Sequence, residues 1–394
     1  MQRNIILLLI AFSLTFVRYG MVFPLVPLEA QELGASPALI GLIVGAFSLL
    51  SLFLSVPIGG FTDRFGVKRM LLLGVLCNAS SSLLLLHTNV FFLMTSQVLG
   101  GLGFQLLIVS SQSFVASLES PLQRERTFGY LTFSAAFGQS LGPVLGGIIA
   151  TRFGYREAFL VSLLLSIAGL IVSGVRESTG VPRVGRYSLM GDLRHAATAF
   201  SDSRMLAVLA FTFGVIFTVS LRTSFLPVLL LKRGLEEADV GLLISIFAAS
   251  MSVIRPFIGR IFQVFSRKNM MAFSVLAVAF GVGLIPGLSS FFSTALALCL
   301  FGLGFGLTQP LSMVMVADLS DPEHPGLSMG IRFMVIALAN LLGPVLLGFL
   351  VEGVGLNSPF YASAFLVLAI GAYILKWKPG LLPGRRQVKK FSKD

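Results

Sequence analysis

The chain of 394 residues is too apolar for a protein whose main solvent is water, since 55% of it is hydrophobic and only 12% is charged, against roughly 25% in soluble domains. Its net charge of +12 would suit a nucleic-acid-binding protein. Lysine and arginine instead recur between apolar runs along the chain, which excludes nucleic acid as the partner.

Twelve apolar runs follow one another, and each predicts a transmembrane α-helix. A helix rises about 1.5 Å per residue, so about twenty residues cross a hydrocarbon core of roughly 30 Å. The runs must be helical because lipid offers the backbone no hydrogen bonds. The spans are predicted near residues 5–28, 36–60, 68–87, 90–117, 126–152, 155–175, 205–231, 236–261, 268–289, 291–318, 326–352 and 357–377. The predicted fold class is an all-α membrane protein.

The basic residues predict how these spans are oriented. With a cytoplasmic N-terminus, most of the 29 lysines and arginines fall on the cytoplasmic side, and only Arg152, Arg156, Lys232 and Arg233 fall outside. This asymmetry follows the positive-inside rule. It predicts a multi-pass protein of the cell (inner) membrane with both termini in the cytoplasm.

The two halves of the sequence resemble each other in register. Shifts of 200 or 201 residues place Gly41 on Gly241, Phe47 on Phe247, Gly101-Leu102-Gly103-Phe104 on Gly302-Leu303-Gly304-Phe305, and Gly142-Pro143 on Gly343-Pro344. We therefore predict two pseudo-symmetric six-helix bundles, residues 1–175 and 205–378, with a cytoplasmic linker at 176–204 and a basic tail at 379–394. Repeats of this kind bind a solute between them and expose it to each side in turn.

A polar segment at residues 59–69, GGFTDRFGVKR, follows the second predicted span. It resembles the loop signature of the major facilitator superfamily, and the matching positions are Gly59, Asp63, Arg64, Gly66 and Lys68. The resemblance implies a conformational gate in which the carboxylate of Asp63 latches the two halves at a helix N-terminus. A solvated basic loop that only sets topology is the alternative.

The fifth predicted span contains GYLTFSAAFGQSLGPVLGG. The segment resembles the antiporter motif of the drug/proton antiporter branch of that superfamily, and the matching positions are Gly129, Gly138, Gly142, Pro143, Gly146 and Gly147. Gly343 and Pro344 repeat part of it in the second half. The resemblance implies an exporter in which the glycines let helices pack closely. Ordinary glycine-rich packing is the alternative.

Four arginines fall inside predicted spans, where a charged residue is costly and is a functional candidate by default. Arg18 and Arg222 occupy equivalent positions of the two repeats, so we expect them to bind the anionic group of a substrate. Snorkelling or a structural role is the alternative. Arg255 and Arg332 lie near the cytoplasmic ends of their spans, and Arg332 is a candidate gate partner of Asp63.

Other candidates for a binding cavity are neutral polar residues, namely Tyr19, Gln105, Gln112, Gln139, Gln309 and Asn340.

The carboxylates fall in loops or at span ends, so proton coupling lacks a carrier at mid-membrane. Cys77 and Cys299 have neither a CxxC nor a histidine partner, and the sequence predicts no metal and no cofactor. The 36 phenylalanines would suit an aromatic cavity wall, although lipid-facing and core positions account for most of them.

These patterns together predict a secondary active transporter rather than an enzyme, because no nucleophile with its base, metal cluster or phosphate loop is found. We expect an alternating-access exporter of amphipathic small molecules that tolerates or prefers anions. An exchanger of organic anions or organophosphates, or a flippase for an anionic lipid, is the alternative. The expected partners are the small-molecule substrate and the lipid bilayer, with the chain acting as a monomer.

Overall fold

The computed structural model describes residues 2–118, 120–175, 202–319 and 325–377. All regular secondary structure in these ranges is helical, and twelve helical segments are long and apolar enough to cross a membrane. The predicted fold class and number of spans are therefore confirmed. Most of the predicted linker and all of the basic tail lie outside the described residues.

The helices follow the predicted spans closely, with some extended and some divided. They are α1 Gln2–Glu32, α2 Pro37–Ala46, α3 Leu49–Phe65, α4 Val67–Leu84, α5 Val90–Ala116, α6 Pro121–Phe153, α7 Tyr155–Val175, α8 Ser203–Thr223, α9 Phe225–Lys232, α10 Glu237–Val253, α11 Ile258–Val264, α12 Arg267–Gly283, α13 Phe291–Leu319, α14 Pro325–Val354 and α15 Ser358–Trp377. Short 3-10 helices cover Arg255–Phe257 and Ile285–Gly287.

Three predicted spans contain a break. The second divides into α2 and α3, and the seventh divides into α8 and α9 at Ser224. The eighth changes from α10 to a 3-10 turn that contains Pro256 before α11 begins. Proline has no N–H to donate and its ring crowds the preceding turn, which explains the third break.

Glycines in the left-handed region end helices at equivalent places in the two repeats. Gly34 and Gly234 follow α1 and α9 with φ of 77° and 83°. Gly154 and Gly355 follow α6 and α14 with φ of 104° and 115°. Only glycine adopts such angles without a steric cost, so the sequence repeat is a repeat of turns as well as of spans.

The chain divides into two compact units. The first contains residues 1–187, 222–245 and 344–353, and the second contains the remainder. In the first unit α1 packs on α6 and α7, and α4 packs on α5 and α7. In the second unit α12 packs in the same way on α13 and α15. The first unit thus includes the N-terminal repeat together with two segments of the C-terminal repeat, and this brings residues from both repeats into contact.

Candidate transport site and gate contacts

The guanidinium of Arg18 lies inside the first unit, and the residue is 1% exposed. Its Nε donates to Ser82 Oγ at 2.8 Å and its Nη2 donates to Ser81 Oγ at 2.7 Å, which ties α1 to α4. Ser82 continues the network to Ser166 of α7 at 3.3 Å. Nη1 is buried without a hydrogen-bond partner, and no described carboxylate forms an ion pair with this arginine. Arg18 is therefore a buried cation held only by neutral groups.

Tyr19 lies beside this cation, with the Arg18 guanidinium 4.8 Å from the centre of its ring. Its hydroxyl is 2.5 Å from both Asn78 Oδ1 and the carbonyl oxygen of Gly100, and the amide nitrogen of Asn78 has no partner. A hydroxyl has one proton to donate. Rotating the Asn78 amide by half a turn lets Asn78 donate to the phenol oxygen while the phenol donates to Gly100.

Three further rings surround Tyr19. Their centroids lie 5.4 Å from it for Phe23, 5.6 Å for Phe47 and 4.8 Å for Phe104. All three are only partly buried. The second unit repeats one pair, since Phe247 and Phe305 lie 5.9 Å apart and Phe47 and Phe104 lie 5.7 Å apart. Each repeat therefore places an aromatic pair on its second and fourth spans.

The remaining candidate binding residues are less closely associated. Gln105 donates to Ser55 Oγ at 3.2 Å and is half-buried. Gln112 is exposed, and Gln139 and Asn340 are half-buried. Arg222 is half-buried near the end of α8. The structure gathers Arg18, Tyr19 and the rings into one cluster, and among the described residues no hydrogen bond or ring contact joins Gln105, Gln112, Gln139 or Asn340 to it.

Arg332 has a comparable environment in the second unit, where it is 3% exposed. Its Nε and Nη2 donate to Ser312 Oγ at 3.0 and 2.9 Å. Nη2 also lies 2.5 Å from Gln309 Oε1. The predicted gate arginine and one predicted binding glutamine thus hold each other between α14 and α13.

The loop of the predicted gate turns at Gly66, whose φ of 85° separates α3 from α4. The guanidinium of Arg64 lies 5.5 Å from the ring centre of Phe65, and Lys68 is half-buried. Gly59 and Asp63 belong to α3, and the exposure of Gly59 and the side chain of Asp63 lie outside the described part of the structure. At the equivalent loop of the second unit, Arg267 forms an ion pair with Asp318.

The glycines of the antiporter motif lie where α6 crosses other helices. A Cβ added to Gly138, Gly142 or Gly146 would come within 3 Å of the α1 backbone between Phe16 and Met21. Gly129 has no neighbour within 4 Å, so it takes no part in this packing. The close approach of α6 to α1 therefore requires glycine at positions 138, 142 and 146.

The two repeats also cross at a symmetric pair of glycine contacts within the first unit. A Cβ on Gly241 would strike the carbonyl of Pro143, and a Cβ on Gly41 would strike the carbonyl of Pro344. Gly147 packs on the backbone of Glu237 in the same manner. Gly343 packs on Ser220 in the second unit. The contacts of Gly41, Gly241 and Gly147 join the two repeats at one end of the spans, whereas that of Gly343 lies within the C-terminal repeat.

A polar cluster at this same end was not predicted from the sequence. Tyr155 Oη donates to Glu237 Oε1 at 2.9 Å, and Thr151 Oγ1 donates to Glu237 Oε2 at 3.2 Å. The backbone N–H of Ala238 donates to Thr151 Oγ1 at 3.0 Å. Glu29 is 6% exposed nearby, because α1 continues to Glu32 instead of ending at 28. Residues 29–32, Glu-Ala-Gln-Glu, are good helix formers and were the signal for this longer helix.

Among the described residues, no group of three or more histidine, cysteine or acidic side chains is arranged to hold a metal ion. Cys77 and Cys299 are both free thiols. The chemistry offered by the site is therefore that of neutral hydrogen bonds, buried cations and aromatic faces.

Comparison with known proteins agrees with this architecture. Multidrug resistance protein 2 of Bacillus subtilis (strain 168) is 24% identical, over 96% of either chain. Quinolone resistance protein NorA of Staphylococcus aureus is 24% identical, over 94% of this chain and 95% of that protein. The crystal structure of nucleoside transporter NupG, 15% identical, superimposes with a TM-score of 0.79 over 96% of this chain and 100% of its own.

A family model covers almost the entire sequence. The model described as Major Facilitator Superfamily matches residues 8–236 and 208–393. Together with the twelve spans and the repeated turns, this match shows that the chain belongs to the major facilitator superfamily and is a multi-pass membrane transporter, not an enzyme.

Proposed function

We propose that this transporter exports amphipathic small molecules by alternating access and that it accommodates a negative charge on its substrate. The observation that carries the proposal is the pairing of a buried, carboxylate-free arginine with a group of partly exposed aromatic rings around Tyr19. The apolar part of a substrate would pack on the rings. Its charge would be stabilised by the arginine.

The aromatic part of the proposal rests on Phe23, Phe47 and Phe104. These rings contact one another and Tyr19 but remain partly exposed. Their exposed faces are therefore free to pack on an aromatic ring of the substrate. Offset and edge-to-face contacts of this kind tolerate many ring systems, because they depend on shape and quadrupole more than on specific hydrogen bonds. A broad range of substrates is expected. The names of the multidrug-resistance relatives are in line with that range.

The anionic part rests on Arg18. Removing a guanidinium from water without a counter-ion costs free energy, and here only two serines and the face of Tyr19 offset that cost. An anion close to Tyr19 would lower the free-energy cost of burying the guanidinium further. Arg18 is enclosed in this conformation, so it would act on such an anion through its field, or by direct contact once the helices move.

The gate in this proposal is formed by the glycine crossings. Gly41 with Pro344 and Gly241 with Pro143 hold the repeats together at one end of the spans. Basic residues predict that this end faces away from the cytoplasm. Backbone contacts without interlocking side chains can separate without unfolding a core, which alternating access requires of them.

The test is exchange of substrate between the two sides of a proteoliposome membrane. Carboxyfluorescein serves as an aromatic anion and ethidium as an aromatic cation. We expect the wild type to exchange both dyes, and Arg18→Ala and Arg222→Ala each to lose carboxyfluorescein exchange while ethidium exchange continues. Arg152→Ala, which removes an exposed arginine at one end of α6, is the matched control and should behave as wild type.

Each variant must also be shown to be folded, by its thermal unfolding midpoint in detergent. Arg18→Lys retains the positive charge but lacks the planar guanidinium group, and it should preserve part of the carboxyfluorescein exchange. Full anion exchange by folded Arg18→Ala or Arg222→Ala would reject the assignment of that arginine. Competition by an anionic phospholipid, without transport of either dye, would favour a lipid flippase instead.

A further inference from the structure

We propose that Gln309 recognises a hydrogen-bond acceptor on the substrate, such as a carbonyl or carboxylate oxygen, and that Arg332 is the positioning residue that orients it. The inference rests on the proposed export function and deepens it, because it names a group that a preferred aromatic substrate carries. Both residues belong to the second unit, in α13 and α14, and neither is part of the Arg18 cluster.

The first observation is that Arg332 is fixed against one turn of α13. Its Nη2 lies 2.5 Å from Gln309 Oε1 and 3.2 Å from the backbone oxygen of Gln309. Nη2 and Nε also donate to Ser312 Oγ at 2.9 and 3.0 Å. No described carboxylate forms an ion pair with Arg332, so these neutral acceptors hold the guanidinium in place.

The second observation is the orientation that this contact imposes on the Gln309 amide. A guanidinium has N–H donors and no acceptor, so only the amide oxygen can face it. Rotating the amide by half a turn would bring donor against donor, which fixes the assignment of oxygen and nitrogen. Nε2 therefore points away from Arg332. Gln309 is half-buried, and its Nε2 donates to no other described residue.

The charge of Arg332 also changes the strength of that donor. A cation bound to the amide oxygen draws electrons from the nitrogen, and hydrogen bonds in such a chain strengthen one another. The N–H groups of Gln309 are therefore better donors than those of a free glutamine. An acceptor that carries a negative charge gains further from the nearby guanidinium. A carbonyl oxygen is expected to bind, and a carboxylate oxygen to bind more tightly.

The third observation is the face of α13 on which Gln309 lies. Phe305, Gln309 and Met313 are spaced by four residues and share one face of the helix. All three are at least partly exposed, and Phe305 is the middle residue of α13. An amide facing lipid at this depth would leave its N–H groups without an acceptor, at a cost in free energy. This face is therefore suited to a cavity that holds water or substrate.

Phe305 supplies an aromatic surface one turn from the amide. Its ring stacks on the buried ring of Phe247, with the centroids 5.9 Å apart, and keeps part of its surface exposed. A substrate ring packed on Phe305 would place a carbonyl substituent within reach of Gln309. The aromatic contact tolerates many rings, whereas the amide selects among them by one polar group.

The experiment measures dye binding to the purified full-length chain in detergent by fluorescence anisotropy. The two probes are a rhodamine with a methyl ester on its phenyl ring and the corresponding rosamine, which has the same cationic ring system without the ester. Because both dyes carry one positive charge, the ratio of their dissociation constants reports the ester carbonyl alone. We expect wild type to bind the rhodamine about three- to tenfold more tightly, as one hydrogen bond provides.

Variants of Gln309 test the recognition itself. Gln309→Leu removes the donor and should bind the two dyes equally. Gln309→Glu keeps the size and the bond to Arg332 but presents an oxygen where the nitrogen was, so it should bind the rosamine at least as tightly as the rhodamine. Gln263→Leu removes an exposed glutamine of α11 in the same unit and should keep the wild-type preference.

Variants of Arg332 test the positioning role. Arg332→Met frees the Gln309 amide to rotate and should reduce the preference, and adding Gln309→Leu to it should reduce the preference no further than Gln309→Leu alone. Arg332→Lys retains a cation that only donates and should keep part of the preference. A purely structural defect would weaken binding of both dyes alike and leave their ratio unchanged. The thermal unfolding midpoint identifies any variant that is not folded.

The results separate the recognition from the proposed function. If wild type exchanges neither carboxyfluorescein nor ethidium, the proposed function fails. If wild type exchanges either dye but does not favour the rhodamine over the rosamine, or if Gln309→Leu or Gln309→Glu keeps that preference, the acceptor site is overturned while export stands. A full preference in folded Arg332→Met would overturn the positioning role.

Discussion

Tyr19 and Asn78 form the most constrained pair of polar side chains in the first unit. Both are almost fully buried, at 2% and 1% exposed, and each depends on the other for hydrogen bonding. The phenol oxygen also reaches the backbone of Gly100, which links α1 to α4 and α5 through one atom. Because a buried polar group without a partner costs more than the bond itself contributes, this pair is sensitive to the loss of one oxygen.

Tyr19→Phe removes that oxygen and leaves the Asn78 amide without its partner, while the Gly100 carbonyl keeps its bond within α5. We expect a loss of about 1–3 kcal/mol in the free energy of unfolding, because a buried amide loses its partner. The unfolding midpoint in detergent measures it. Tyr130→Phe is the control, since Tyr130 is 56% exposed and its substitution should fall within about 0.5 kcal/mol of wild type. Equal stability of Tyr19→Phe and Tyr130→Phe would contradict the network.

The sequence predicted which residues lie within the membrane better than it predicted what they touch. The depth of Arg18 follows from counting along an apolar run. Its contact with Ser81 and Ser82 depends on the rotation of α1 about its own axis, which is constrained by the packing of α1, including its own Gly20, on the glycines of α6. Glu29 was placed at the end of a span, whereas in the structure α1 continues to Glu32 and Glu29 is buried.

At the scale of the helix, the glycines of α6 differ in what they do. Gly142 lies against Val17 and Gly20 of α1, whereas Gly129 faces open space. Both positions match the motif equally well in sequence, so the pattern predicted a tight helix crossing but not which members of the pattern form it. The difference arises because Gly129 is exposed on the surface of α6, whereas Gly142 is on the face of α6 that packs on α1.

Gly142→Ala and Gly129→Ala separate these two roles. A Cβ on Gly142 would lie 2.5 Å from Val17 O and 2.6 Å from Gly20 Cα, both backbone atoms that cannot move alone. We expect Gly142→Ala to lose about 1–3 kcal/mol of stability by overpacking. Gly129→Ala should be neutral or more stable, by up to about 1 kcal/mol, because alanine is the better helix former. Thermal unfolding of both variants in detergent is the measurement, and equal destabilisation by the two would contradict the assigned crossing.

The helix breaks were harder to predict than the spans. The break before α11 has its cause in Pro256, which is visible in the sequence. The division of α2 from α3 after Ala46 has no proline, and its nearest glycine, Gly45, lies within α2. There the backbone N–H groups of Phe47 and Ser48 donate to the carbonyl oxygens of Val44 and Gly45. Each acceptor lies three residues earlier instead of four, so the backbone turns more tightly than in an α-helix. Such a change of period leaves an apolar run unaltered, so hydropathy does not reveal it.

At the scale of the whole molecule, the sequence repeat becomes a repeat of contacts. Gly41 with Pro344 and Gly241 with Pro143 are the same crossing made twice, once by each repeat. The matched turns at Gly34 and Gly234 give the same conclusion independently. Neither crossing could be predicted from one repeat alone, because each joins the second span of one repeat to the fifth span of the other.

Alternating access requires these crossings to separate in every cycle, and a covalent link across them tests that requirement most directly. Thr151 and Ala238 are suited to the link because the Ala238 N–H lies 3.0 Å from Thr151 Oγ1. The variant Thr151→Cys/Ala238→Cys is made with Cys77→Ala and Cys299→Ala, so that only the new thiols can pair. Dye exchange in proteoliposomes is measured after oxidation and again after reduction, with each single-cysteine variant as control. We predict that oxidation abolishes exchange and that reduction restores it. Exchange that continues in protein shown by mass spectrometry to be fully cross-linked would contradict the account.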